Sequence, residues 1–129
     1  MTQLICHDPI DPAMVSGLIG SERAGSVVCH YALVKEMSGE GGTTVCIEYA
    51  AVGDATAELG EIAAELKEAW EIEDVVIIRR VGCLGIGDII SLVATSSPNS
   101  EDAFAACRHG IGRLKKMRTI RKNEAYCRG

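Results

Sequence analysis

The sequence predicts an α+β domain in which three main helices accompany a mostly antiparallel sheet. Three observations point to this class: strand-like segments that occur in pairs, helical segments that separate them, and a length of 129 residues, which suits one domain. The predicted order is β-α-β-β-α-β-β-α followed by a tail. We therefore treat residues 1–129 as a single domain, with residues 118–129 as an extended basic tail.

Five segments rich in β-branched and apolar residues are predicted to form strands: 2–7, 26–35, 43–52, 74–81 and 88–96. The glycine-rich residues 38–42 lie between the second and the third of them, so we expect those two strands to pair as a hairpin with a long tip. Residues 82–87 contain three glycines and are predicted to form a turn.

The helices are predicted from capping residues and from apolar positions three and four residues apart. The first begins at Asp11-Pro12 and ends near Gly20, the second covers residues 54–70, and the third follows residues 97–100 and ends near Met117. The apolar faces are expected at Leu59, Ile62, Leu66 and Trp70 in the second helix and at Phe104, Cys107, Ile111 and Leu114 in the third.

Positive charge is concentrated at the end of the chain. Residues 108–128 contain eight of the thirteen Lys and Arg residues and one acid, Glu124, although the net charge of the chain is −5. Such a local field favours an anionic ligand or partner. Arg108 and Lys115 would lie nearly in line on the third helix, and Lys122 could return to the same place on an extended segment.

Two lysines that reach one place can hold a phosphate or a carboxylate. If they are desolvated beside other cations, one of them can instead act as a nucleophile or a base. Composition alone favours a third interpretation, in which the basic helix end is a solvated surface. The pair Lys115 and Lys122 is therefore the candidate site that the residues themselves indicate.

Other chemical motifs are incomplete. The six cysteines include no CxxC pair, which argues against a zinc site, and we expect no bound metal. Cys29, Cys46 and Cys107 have apolar neighbours and are expected in the core, whereas Cys127 is the expected reactive thiol. The sequence has no membrane-spanning apolar run and no signal-peptide pattern, so the expected location is the cytoplasm.

A set of short motifs resembles the molybdopterin synthase catalytic (large) subunit family. The motifs are Gly25-Ser26-Val27-Val28, Ile47-Glu48-Tyr49, the run from Val76 to Leu84, Gly87-Asp88, Ser96-Ser97-Pro98, Ala103-Phe104, Ala106-Cys107-Arg108, Leu114-Lys115-Lys116 and Lys122-Asn123-Glu124. Each motif is modest, but their order and spacing match the family over most of residues 3–125.

The resemblance implies a fold, a set of partners and an activity. It implies an α/β hammerhead fold and a homodimer, to which two small ubiquitin-like sulfur-carrier subunits bind to give a heterotetramer. The carrier's C-terminal Gly-Gly thiocarboxylate would enter a pocket and donate sulfur to cyclic pyranopterin monophosphate, and two transfers would build the dithiolene of molybdopterin. The expected protein is thus a sulfurtransferase with no permanently bound cofactor.

The resemblance also implies site residues. The family's two catalytic lysines match Lys115 and Lys122, which would also bind substrate. The other substrate-binding positions implied by the match are Lys35, Asn99, Ser100, Asn123 and Glu124, and the candidate compensating anion contacts are Arg79, Arg118 and Arg121. Asn99-Ser100 stands where the family has His-Arg, and Arg79 stands where it has His. Pockets of this family are completed across the dimer.

Two alternatives remain open. Because of the substituted positions, the chain could be a non-catalytic relative that only binds the carrier. A protein of another class could use the basic end to bind nucleic acid or an acidic protein. One Phe and one Trp provide few surfaces for base stacking, which makes the nucleic-acid alternative the weaker one.

Overall fold

The computed structural model describes residues 1–36, 38–39, 42–43 and 46–125. Along these residues the elements are β1 (Thr2–Cys6), a 3₁₀ turn (Pro12–Met14), α1 (Val15–Leu18), β2 (Ser26–Leu33), β3 (Ser38–Gly39), β4 (Gly42–Thr43), β5 (Cys46–Ala51), α2 (Ala55–Ala69), β6 (Asp74–Arg80), β7 (Gly82–Gly85), β8 (Ile89–Ser97), α3 (Ser100–Leu114) and β9 (Ile120–Ala125). No helix within these residues is long and apolar enough to cross a membrane.

The main sheet has four strands in the order β1-β6-β8-β2. Strand β1 is parallel to β6, whereas β6 and β8, and β8 and β2, are antiparallel. A second sheet has the order β7-β5-β9 and is antiparallel throughout. The predicted α+β class with mostly antiparallel pairing is therefore confirmed.

Both faces of the main sheet are covered, which explains why β6 and β8 are almost continuously buried. On one face, Leu59, Ile62 and Leu66 of α2 pack with Val75, Ile77 and Val93 of the sheet and with Cys107 and Leu114 of α3. On the other face, Ile10 and Val15 pack with Val76, Ile78, Leu92 and Ala94. A third cluster joins Val34, which follows β2, to Ile47, Tyr49 and Leu84 of the second sheet.

The predicted hairpin between the second and third segments is wrong. Strand β2 pairs along its length with β8 in the main sheet, whereas β5 belongs to the second sheet. The local glycine signal shows that the chain reverses there, but the long apolar strand β8 offers β2 a more complete partner than β5 does. Among the described residues of the intervening segment, Ser38–Gly39 pairs with Gly42–Thr43.

Three further expectations change in the structure. The first helix is a 3₁₀ turn capped by Asp11 followed by the single turn α1, because the chain becomes extended at Ile19. Residues 82–85 form β7 rather than a turn, and the turn before β8 contains Gly87 at φ 88°. Residues 120–125, within the predicted tail, form β9, which pairs with β5.

Two predicted core residues are exposed. Phe104 on α3 is 59% exposed, because α3 turns Ala103, Ala106 and Cys107 toward the sheet instead. Cys29 is also exposed, since it lies on the edge strand β2. Cys107 is buried as expected and Cys46 is partly buried, whereas Cys127 lies outside the described residues.

Candidate functional site

A cavity of about 550 Å³ lies between the two sheets, beside the C-terminal end of α3. Its lining is mainly apolar with four cationic side chains, and it consists of Ala32, Leu33, Val34, Lys35, Ile47, Tyr49, Arg79, Ile90, Ser91, Ile111, Leu114, Lys115, Met117, Ile120 and Lys122. Among these described lining residues none is acidic. An apolar cavity with a few convergent charges is typical of a binding site for a small anionic ligand.

The four cations reach the cavity from four different elements. Lys35 follows β2, Arg79 lies on β6, Lys115 is the C-cap of α3, and Lys122 lies on β9. Their positions in the sequence are 35, 79, 115 and 122, so only the tertiary fold assembles them. The structure thus brings together Lys115 and Lys122, the pair that the residues themselves indicated, with Lys35 and Arg79, which the family resemblance implied.

Arg79 lies on the floor of the cavity and is 7% exposed. In the main sheet it is the register partner of Ser91, which in turn is the partner of Ala32, so the three side chains form one row across the floor. The Arg79 Nε atom is buried without a hydrogen-bond partner among the described residues. A buried cation that lacks an anionic partner is costly unless a ligand compensates its charge.

The ring of Tyr49 packs against the guanidinium of Arg79. The Cζ atom of Arg79 lies 4.4 Å from the centroid of the Tyr49 ring, a cation–π distance. Burial lowers the pKa of Arg79, and the interaction with Tyr49 opposes that shift. Tyr49 is itself buried on β5, so the ring keeps the guanidinium in place without neutralising it.

Lys115 is placed by the close packing of α3 on the main sheet. A Cβ atom on Gly110 would lie 3.2 Å from side-chain carbons of Leu66 and Val93, so glycine at this position permits the close approach. The backbone N–H of Lys115 donates to the Ile111 carbonyl oxygen at 3.2 Å, and the helix ends there. A cation at this end is favoured by the helix dipole.

Lys122 is placed by the alternation of side chains along β9. Ile120 and Lys122 line the cavity, whereas Arg121 between them does not. Lys122 is the register partner of Tyr49 in the second sheet. Tyr49 is therefore next to Lys122 along the sheet, while the face of its ring contacts Arg79. The site therefore depends on the pairing of β9 with β5.

Several predicted site residues lie elsewhere in the chain. Asn99 and Ser100 are at the N-terminal end of the 15-residue helix α3, about 22 Å from its other end at 1.5 Å per residue. Asn99 caps that helix, since its Oδ1 accepts a hydrogen bond from the Asp102 N–H at 2.8 Å. Within one chain neither residue meets Lys115.

The other predicted contacts on the basic end are also outside the cavity. Arg118 is 81% exposed, and its guanidinium lies 3.9 Å from the carboxylates of both Glu58 and Glu61. Arg121 and Asn123 are exposed and are not among the cavity-lining residues. The backbone of Glu124 pairs with that of Ile47 in the second sheet.

The sequence analysis did not identify Tyr49 or Ser91 as site residues. Ser91 is a buried polar residue that interrupts the apolar run from Ile89 to Ala94 in β8, and this interruption is a signal that a sequence reader could use. Tyr49 belongs to the family-like motif Ile47-Glu48-Tyr49, but one aromatic residue on a strand is ordinary core composition and does not by itself indicate a site. Its contact with Arg79 arises where the two sheets meet.

The described residues suit anion binding and charge stabilisation. Three lysines at the opening and one arginine on the floor can bind a phosphate or a carboxylate, and can stabilise negative charge that develops during a reaction. No group of three or more His, Cys, Asp and Glu side chains in the described part of the chain could hold a metal ion. The ligand chemistry indicated by the cavity is therefore that of an anion with apolar or ring surfaces.

Comparison with known proteins gives consistent similarities. The MoaE protein family matches residues 5–117. The molybdopterin synthase catalytic subunit of Staphylococcus epidermidis is 34% identical over 123 residues, which cover 95% of this chain and 81% of that relative. The crystal structure of molybdopterin synthase from Staphylococcus aureus has a TM-score of 0.87 at 33% identity and covers 97% of this chain and 91% of its own.

A more distant similarity concerns the fold alone. A chain in the complex of subunits 1 and 2 of molybdopterin-converting factor from Helicobacter pylori has a TM-score of 0.71 at 12% identity. The match covers 95% of this chain and 83% of the Helicobacter chain. The two-sheet architecture is therefore retained where little of the sequence is shared.

Proposed function

Because the chain belongs to the MoaE family, we propose that it is the catalytic subunit of a molybdopterin synthase and transfers sulfur within the cavity described above. Family membership rests on the match over residues 5–117 and on relatives that are 34% and 33% identical across nearly the whole chain. The substrate of the proposal is cyclic pyranopterin monophosphate, and the product carries the dithiolene of molybdopterin.

One observation carries the assignment of the site: Lys115, Lys122, Lys35 and the buried Arg79 converge on one cavity whose described lining has no acid. A substrate phosphate would supply a hydrogen-bond acceptor and a negative charge to Arg79, whose Nε has no partner among the described residues. The apolar walls, formed in part by Leu33, would accept the rings of the pterin. In the proposal, Lys115 and Lys122 contact the substrate directly.

The proposed chemistry needs charge stabilisation more than proton transfer from a carboxylate. Each transfer forms a carbon–sulfur bond on the substrate in place of a carbon–oxygen bond, whose oxygen leaves as water or stays on the phosphate, and breaks the carbon–sulfur bond of the carrier's thiocarboxylate. Water supplies the oxygen of the carboxylate that the carrier then keeps. Negative charge develops on the attacked centre and on the departing carboxylate, and the ammonium groups of Lys115 and Lys122 are placed at the cavity to stabilise it.

The partners in the proposal are a small ubiquitin-like carrier with a C-terminal Gly-Gly thiocarboxylate and a second copy of this chain, together a heterotetramer. The Helicobacter pylori relative of the same fold was solved as a complex of two different subunits, which supports a two-subunit assembly. Within one chain Asn99 and Ser100 lie at the far end of α3, so they would reach a cavity only from a second copy of the chain.

The proposed location is the cytoplasm, which fits the free thiols of Cys29 and Cys83.

A non-catalytic relative that only binds the carrier is the second candidate. The observation that favours it is Asn99-Ser100 in place of a His-Arg pair, which removes positive charge from an implied substrate contact. A nucleic-acid module has less support, because the basic residues are divided between functions. Arg113 pairs with Glu65 at 2.8 Å, Arg118 faces Glu58 and Glu61, and Lys115 and Lys122 line the cavity.

The test is a sulfur-transfer assay with the purified chain, thiocarboxylated carrier and cyclic pyranopterin monophosphate. We expect dithiolene formation by the wild type and its loss in Lys115→Ala with no change in thermal unfolding. Lys116→Ala is the matched control, because Lys116 is exposed on the adjacent position and does not line the cavity. A stable complex with the carrier but no product from the wild type would favour the second candidate.

A further inference from the structure

We propose that Glu58 is a positioning residue for Lys122, because its buried carboxylate fixes the start of β9 and thereby the register that turns Lys122 toward the cavity. Glu58 does not line the cavity and belongs to α2. Its effect on activity would therefore be indirect. The kinetic part of the inference rests on the proposed function, whereas the structural part can be tested without activity.

The contacts of Glu58 explain why a carboxylate is buried at this place. Its side chain is 3% exposed, and its Oε1 accepts hydrogen bonds from the Thr119 N–H at 3.0 Å, the Thr119 hydroxyl at 2.6 Å and the Arg118 N–H at 3.1 Å. Its Oε2 also accepts from the Arg118 N–H at 3.1 Å. These donors lie 60 and 61 residues away in the sequence, so Glu58 ties the segment after α3 to α2.

Thr119 is held from a second side by the end of β5. The Val52 N–H donates to the Thr119 carbonyl oxygen at 2.8 Å. A Cβ atom on Gly53 would lie 3.2 Å from the Thr119 Cγ2, so the backbone of residues 52–53 and the Thr119 side chain are closely packed. Strand β9 begins at the next residue, Ile120, which is the register partner of Ala51.

The register of β9 needs such a constraint because the sequence of β9 specifies that register only weakly. β9 is an edge strand of the second sheet, and its central residues Arg121, Lys122 and Asn123 are all polar and exposed. Strands without an alternating apolar face are prone to slip, and a shift of one residue sends every side chain to the other face. A slip would bring Arg121 or Asn123 to the place of Lys122 beside Tyr49.

A double-mutant cycle tests whether Glu58 acts through Lys122. We expect Glu58→Ala to lower kcat/KM by about 10- to 100-fold, the loss that a misplacement of about 1 Å can cause. We expect Glu58→Ala combined with Lys122→Ala to be no worse than Lys122→Ala alone, since interacting positions are non-additive. Losses that multiply in the double variant would overturn the inference.

The matched control is Glu61→Gln, one turn along α2. Glu61 is exposed, does not line the cavity and lies 3.9 Å from the guanidinium of Arg118, so this variant should keep wild-type kcat/KM. Glu58→Gln keeps one acceptor oxygen and should restore part of the activity lost in Glu58→Ala. If Glu58→Ala fails to fold, Thr119→Val replaces it in the cycle, because this change removes the 2.6 Å hydrogen bond while preserving the shape of the side chain.

The structural arm uses a cross-strand disulfide between Ala50→Cys and Arg121→Cys, positions that are partners in the register of β5 and β9. Cys83→Ser removes a competing thiol from the neighbouring strand β7. We expect the disulfide to form readily when Glu58 and Thr119 are unchanged. Its yield should be lower when Glu58→Ala or Thr119→Val is added. Equal yields would overturn the positioning role. If the wild type transfers no sulfur, the proposed function fails, and the disulfide yields still decide the role of Glu58.

Discussion

The guanidinium of Arg79 lies 4.4 Å above the ring of Tyr49, at the junction of the two sheets. Arg79 belongs to the main sheet and Tyr49 to the second, so this contact joins the two layers at the floor of the cavity. The ring offers a favourable face to the cation but no negative charge. Arg79 is thereby kept buried and oriented, and within the described residues it forms no ion pair and its Nε has no hydrogen-bond partner, as expected of a residue that binds an anionic ligand.

The first prediction is that Arg79→Met has opposite effects on stability and on anion binding. Replacing a buried charge by an apolar side chain of similar length should be neutral or raise the free energy of unfolding by up to about 4 kcal/mol. The loss of a charge-assisted hydrogen-bond donor should weaken binding of inorganic phosphate about tenfold or more. Thermal unfolding with and without phosphate measures both effects. A clear loss of stability without phosphate would contradict the view that Arg79 is an uncompensated cation.

The second prediction concerns Asn99 as the N-cap of α3. Asn99→Ala should lower the free energy of unfolding by about 1 kcal/mol, whereas Asn99→Asp should preserve it, because Asp is an equally good N-cap. If the cavity is completed by Asn99 of a second copy, the added negative charge of Asn99→Asp should raise KM for the anionic substrate. Denaturant unfolding and steady-state kinetics separate the two roles. An unchanged KM would confine Asn99 to capping.

The third prediction is a loss of stability in acid that depends on Glu58. Burial alone would raise the pKa of Glu58, but the hydrogen bonds from Thr119 and Arg118 outweigh it and hold the pKa below its ordinary value of 4.5. A carboxyl group whose pKa is lowered by folding stabilises the folded state above the unfolded pKa. That contribution is lost as the pH falls from about 4.5 through the folded pKa.

Glu58→Gln should therefore show a shallower decrease of stability below the ordinary pKa than the wild type does. The measurement is the free energy of unfolding between neutral and acidic pH, with Glu61→Gln as the exposed control on the same helix. Identical pH profiles for wild type and Glu58→Gln would contradict this assignment. Asp74, whose pKa is also lowered, contributes acid sensitivity in both proteins and does not affect the comparison.

The fourth prediction concerns thiol reactivity. Burial raises the pKa of Cys107 to about 11, and its Sγ lies 3.6 Å from the Val93 carbonyl oxygen in the core. Cys107 should therefore resist alkylation in the folded protein and react only in denaturant, whereas the exposed Cys83 reacts in the native state. Alkylation followed by peptide mass spectrometry gives the order in which the cysteines are modified. Modification of Cys107 as early as that of Cys83 would show that α3 opens readily.

The sequence predicted the elements that have a local physical cause. The apolar stripe of Leu59, Ile62 and Leu66 depends on neighbours three or four residues away, and it appears as expected. The pairing of β2 was not predictable in this way. Strand β2 pairs with β8 because β8 is long and buried, and β8 lies more than fifty residues further along the chain.

By itself the sequence determined the α+β class, the three helices and the candidate pair Lys115 and Lys122, because composition, periodicity and motif order reside in the chain. Only the tertiary structure decided that Arg79 is buried on Tyr49 and that Lys122 rather than Arg121 faces the cavity. The physical reason is that charge and burial at the site come from the meeting of two sheets. The strand register that sets this meeting is fixed by distant contacts such as those of Glu58.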